Sequence, residues 1–174
     1  MLYRLKPTDR LVPAMAYTDM CLIWGKIIAP EAVRVPTWLK VSLVPSHFSF
    51  VEVNMLTFGG SQPIRSTFPE MHLPTDSILA FHVLPPTEVE PDYDPEQKNM
   101  EMRKVTALAN IYRFDGFRRI SILGDTVAAI QSLSQTFSPL YDVTVSHPLA
   151  PAIKDLTVPY VLLRSAETKY VIHP

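Results

Sequence analysis

Seventeen prolines against five glycines limit what these 174 residues can fold into more than any other feature of the chain. Proline brings no amide proton to a ladder and cannot sit inside a helix, so that many of them cut a chain into short segments joined by rigid turns. Short strands are expected, not long helices. The glycines, Gly25, Gly59, Gly60, Gly116 and Gly124, form neither a GxGxxG fingerprint nor a Walker-type loop. A phosphate cradle built from backbone N–H groups is therefore not expected.

Period-two patterning agrees with this. "FVEVNMLTF" (50–58) sets Val51, Val53 and Met55 against Glu52 and Asn54, and "LYDVTVSH" (140–147) sets Tyr141, Val143 and Val145 against Asp142, Thr144 and Ser146. Alternation with β-branched enrichment marks half-buried strands. Further strands are expected at 21–28, 32–35, 77–84, 103–114, 117–122, 158–164 and 169–173. Asp115-Gly116 reads as the turn of a hairpin within "YRFDGFRRI". The one full helix expected is "DTVAAIQSLSQ" (125–135), capped by Asp125 or Thr126, with "PTWLKVSL" (36–43) a shorter counterpart.

The two halves echo each other. "AVRVPTWLK" (32–40) lies against "FRRISILGD" (117–125), "FSFVEVNM" (48–55) against "FSPLYDVTV" (137–145), "HLP" (72–74) against "TVP" (157–159), and "FHVLP" (81–85) against "YVIHP" (170–174). The fold expected is mainly β: two tandem small antiparallel β-barrel-like units, or one fused β-sandwich, with one short helix. Residues 1–19 read as an N-terminal extension, 20–84 as the first repeat and 103–174 as the second. Between them 85–102 holds four prolines, six acids and one lysine, an acidic Pro-rich linker. Units of about 65–70 residues are marginal alone, so packing together or across copies is expected.

Charge and cysteine content narrow the class. Sixteen basic and 17 acidic side chains leave a net charge of −1, without the basic surplus of a protein devoted to a phosphate backbone. One cysteine, Cys21, cannot form an internal disulfide and suits a reducing compartment. No signal-peptide core and no apolar run of about 18 residues occurs, so a cytoplasmic protein without a membrane span is expected. The five histidines show no HxH or HxxxH spacing and Cys21 has no CxxC partner. Neither a metal nor a cofactor is expected. His82 reads as a core or interface histidine.

Within "FRRISILGD" (117–125), Ser121 and Gly124 stand at the x-S-x-x-G spacing, and the segment resembles the second signature of the PilZ family, small β-barrels that bind cyclic di-GMP. Arg119 occupies the place of that signature's Asp or Asn, and its R-x-x-x-R pair has no counterpart upstream. The same letters form Arg-Arg-x-Ser, a basophilic kinase pattern. On "VRVPTWL", "LYDVTV" and "VPYVLLR", most of the chain resembles uncharacterised bacterial proteins made of tandem small β-barrels of SH3-like, Sm-like or PilZ-like kind. That resemblance implies a fold and no catalytic residue.

Three functions follow as expectations. The first is a non-catalytic assembly or adaptor protein, working through protein contacts as a homo-oligomer or with a protein partner. Its candidate interface residues are Tyr3, Trp24, Trp38, Tyr112, Phe114 and Tyr170. The second is a nucleotide- or single-stranded nucleic-acid-binding barrel. It would use Arg34, Arg113, Arg118, Arg119 and Ser121 for the ligand and Tyr112, Phe114 or Trp38 for stacking. A small hydrolase is the third, although no G-x-S-x-G elbow or Cys–His signature is present.

Overall fold

The computed structural model describes residues 4–40, 44–60, 62–84, 93–123, 136–148 and 156–173. The chain divides into two units, Met1–Glu88 and Val89–Pro174, and is mainly β. The helix expected at 125–135 lies outside the described residues.

In the first unit β1 (Asp9–Tyr17), β2 (Cys21–Pro30), β3 (His47–Thr57), β4 (Ile64–Pro74) and β5 (Ala80–Val83) pair antiparallel in the order β5-β1-β2-β3-β4. Helix α1 (Val35–Lys40) joins β2 to β3, and a 3-10 turn, Thr75–Ser77, joins β4 to β5. Residues 9–17 are thus not an extension but a strand between two others. The stretch 32–35 is not a strand either: it is the turn into α1, whose Trp38 N–H reaches the Arg34 carbonyl at 2.9 Å. Ala14, Ala16, Ile27, Phe48, Phe50, Ile78 and Phe81 are buried together. Phe48 meets Trp38 and Phe81 at centroid distances of 5.6 and 5.7 Å.

In the second unit β6 (Met100–Ala109), β7 (Tyr112–Ser121), β8 (Phe137–Ser146), β9 (Leu156–Arg164) and β10 (Lys169–Ile172) pair antiparallel in the order β10-β6-β7-β8-β9, with a 3-10 turn, Ser165–Glu167, before β10. Asp115-Gly116 is no turn; β7 runs through it unbroken. The hairpin turn is Asn110-Ile111, with Asn110 at φ 51°, a left-handed conformation that asparagine tolerates.

Element order and irregularities recur in both units. The β2–β3 register shifts between Trp24 and Lys26, opposite Glu52 at φ 54°; the β7–β8 register shifts between Asp115 and Phe117, opposite Asp142 at φ 48°. These bulges break the simple alternation. Phe50 and Val53, not Val51 and Val53, are the buried neighbours in β3, and Tyr141 registers against Phe117, a partly exposed side chain. The shared bulges also correct two matches between the halves. Residues 117–121 belong to β7, whose place in the order is that of β2, not of 32–40. "HLP" closes β4 whereas "TVP" opens β9. Phe81–Leu84 and Tyr170–His173 do correspond: Leu84 N–H bonds Pro13 O at 2.8 Å, and His173 N–H bonds Lys104 O at 3.4 Å.

Close backbone approach explains the glycine at each bulge. A Cβ on Gly25 would lie 2.8 Å from the Val51 carbonyl oxygen, and one on Gly116 would lie 2.7 Å from that of Tyr141. Gly25→Ala and Gly116→Ala are each expected to cost about 1–3 kcal/mol, the cost of overpacking against a rigid neighbour. Urea denaturation of both variants checks this, and unchanged midpoints would contradict the bulge geometry.

Candidate functional site

The side chains of β7 fall alternately on two faces. Tyr112, Phe114, Arg118 and Ile120 point to the core, while Arg113, Asp115, Phe117 and Arg119 point away. Arg118 therefore parts from Arg113 and Arg119, which share the outer face. Arg113 forks onto Asp115 at 2.7 and 3.0 Å. Burial pushes the Asp115 carboxyl up, but hydrogen bonds from Arg113 and Thr106 outweigh it and hold the group below its usual range. Arg119 lies 4.5 Å from the Tyr93 ring and donates to the Asp94 carbonyl. Arg34 stands exposed in the first unit, and Ser121 Oγ accepts the Leu123 N–H at 3.2 Å.

Two of the expected stacking and interface aromatics are corrected. Tyr112 and Phe114 are core residues with no face for a base or a partner. Trp24 is half-buried with the Arg65 guanidinium 5.8 Å from its ring, and Trp38 is half-buried on Phe48. Tyr170 hydrogen-bonds Ser138 Oγ at 3.0 Å and lies under Arg118 at 4.9 Å. Tyr3 falls outside the described residues.

Part of the acidic stretch is docked. Tyr93 packs edge-on against Tyr141 at 5.0 Å, the Ile122 N–H bonds Asn99 O at 3.0 Å, and residues 100–102 already belong to β6. Burial, with Tyr93 beside it, pushes the Tyr141 hydroxyl up to about 12, against the opposing effect of Arg119 and Arg118. Residues 93–99 are accordingly tied to the second unit at Tyr93 and Asn99, while 94–99 stay exposed.

Sequence reasoning missed the grouping at β6 and β10. Strand β10 pairs with β6 and, among the described residues, with no strand on its other side. Next to it opens a depression of about 710 Å³ lined by Met102, Arg103, Lys104, Ile172 and His173. His173 is tied down through Thr106 Oγ1, 2.9 Å from its Nε2, and the Thr106 hydroxyl in turn donates to Asp115. With its proton committed to the carboxylate, Thr106 receives a hydrogen bond from His173 and is not set up as a nucleophile. Arg118 lies directly across from Arg103; it is 5% exposed, and its Nη1 has no hydrogen-bond partner among the described residues, its guanidinium resting on the Tyr170 ring.

The first unit has its own open edge. β4 runs eleven residues, pairs with β3, and among the described residues has no strand on its far side. Ile64 is 63% exposed and Phe68, four residues on and so on the same side, is 39% exposed.

Among the described residues no group of three His, Cys, Asp or Glu side chains could hold a metal ion, and no helix is long and apolar enough to cross a membrane. No family model, curated protein or solved structure matches the chain.

Proposed function

We propose that the chain is a non-catalytic assembly or adaptor protein built from two tandem copies of one small barrel-like β-unit. The recurrence of strand order, bulge, glycine and 3-10 turn in both units supports a duplication. The observation that carries the functional reading is the open edge of β4. Folded proteins blunt long free edges because unpaired N–H and C=O groups recruit other strands. The half of this edge from Ile64 to Phe68 holds no proline and carries exposed Ile64 and Phe68, whereas Pro69 and Pro74 remove donors from the other half. β4 of one copy pairs antiparallel with β4 of another, a self-complementary contact that closes at a dimer. The nucleotide or single-strand reading loses support with the burial of Tyr112, Phe114 and Arg118 and the engagement of Arg113 by Asp115.

Phe68→Lys, which places a charge on the edge, is expected to yield monomer where the unaltered chain is dimeric. Sedimentation velocity across a range of salt concentrations tests this. A dimer that survives the substitution would move the interface away from β4.

A further inference from the structure

We infer that the edge of β10 that no described strand covers receives an extended peptide bearing carboxylates, which adds as a strand and sets its acids on the face of the sheet that carries Lys104; this rests on the reading of the chain as an assembly or adaptor protein and names the chemistry of one partner. Among the described residues, strand β10 leaves its row of main-chain donors and acceptors on the side away from β6 without a strand partner. Such a row captures extended peptides, with side-chain pockets selecting among them.

Lys104 and Arg103 line the depression from opposite faces of β6, beside the His173 ring, and none of its five lining residues is acidic. Against them stand two carboxylates. Glu101 is engaged by Arg103 at 2.5 Å, and Asp115 by the Arg113 fork and Thr106. A peptide carboxylate here gains the Lys104 ammonium, which makes no ion pair among the described residues. The lining is also partly apolar: Met102 and Ile172 contribute to the depression, and Val171 is 47% exposed on the strand itself. Acids alternating with apolar residues match that mixture. A free inorganic anion would leave the apolar part and the strand edge unused. A nucleic acid would ask for stacking aromatics, and none of the five lining residues is Phe, Tyr or Trp.

The test uses the full chain and fluorescein-labelled hexapeptides, read by anisotropy. An alternating Val-Glu hexapeptide is expected to bind at least tenfold tighter than its Val-Gln counterpart, and a Val-Lys counterpart not at all. Lys104→Glu should weaken the acidic peptide tenfold or more, and N-methylation at alternate peptide residues should abolish binding. Equal affinity for the Val-Gln peptide would overturn the charge selection. Equal affinity of the N-methylated peptide, or equally strong competition by inorganic phosphate or oligothymidine, would overturn strand addition. If no peptide binds while the chain remains a β4-dependent dimer, this partner is wrong and the assembly reading stands. If the chain is also a monomer, both fall.

Discussion

Phe114→Ala is expected to cost about 3–5 kcal/mol of folding stability, the range for emptying an aromatic site in a packed core. Phe117→Ala, on the same strand, should cost far less. The difference follows from which way each ring points: Phe114 is fully buried beside Tyr112, with centroids 6.2 Å apart, while Phe117 is 36% exposed on the opposite face. Urea denaturation of the two variants decides the matter. A loss under about 1 kcal/mol for Phe114 would be that of a surface substitution, and would restore its place as a stacking residue.

Acid is expected to remove about 3 kcal/mol of stability through His82 alone. Its ring is 1% exposed, and Nδ1–H donates to the Val83 carbonyl at 3.0 Å, leaving Nε2 to accept the Tyr17 hydroxyl at 3.0 Å. Burial lowers its pKa from 6.5 to about 4, partly offset by the Val83 bond. Between those values the unfolded chain binds a proton that the folded chain refuses, so stability rises with pH across the window and is lost as pH falls from 6.5 towards 4. At about 1.4 kcal/mol per pKa unit the whole shift amounts to roughly 3 kcal/mol. His147 is shifted in the same direction by burial, so His82→Gln is the control. Denaturation midpoints between pH 5 and 6.5 should fall steeply in the unaltered chain and much less in the variant. Parallel slopes would show that His82 is not the group responsible.

Strands were legible wherever one face is apolar, as in 50–58 and 140–147, because period two survives on both sides of a bulge. The bulges themselves were not. Glu52 and Asp142 adopt positive φ without any local signal, and an Asp-Gly pair that propensity assigns to a turn serves instead where a carbonyl passes too close for a Cβ. β1 escaped notice because "RLVPAMAY" carries a proline and small residues of weak strand preference. Its place in the sheet comes from pairing with β2 and β5, which is tertiary information. Alternation along 117–121 is enough to put Arg118 and Arg119 on opposite faces, as they are. The depression at β6 and β10 could not have been read at all. Arg103 and Lys104 meet His173 only because the last strand returns antiparallel to β6.

Native mass spectrometry of the protein purified gently from its own cells tests the central claim most directly. Assembly through the β4 edge predicts twice the mass of the chain, persisting through a range of salt, with Phe68→Lys giving the single-chain mass. A monomer carrying a few hundred daltons of bound small molecule would contradict it and would make the chain a ligand-binding protein.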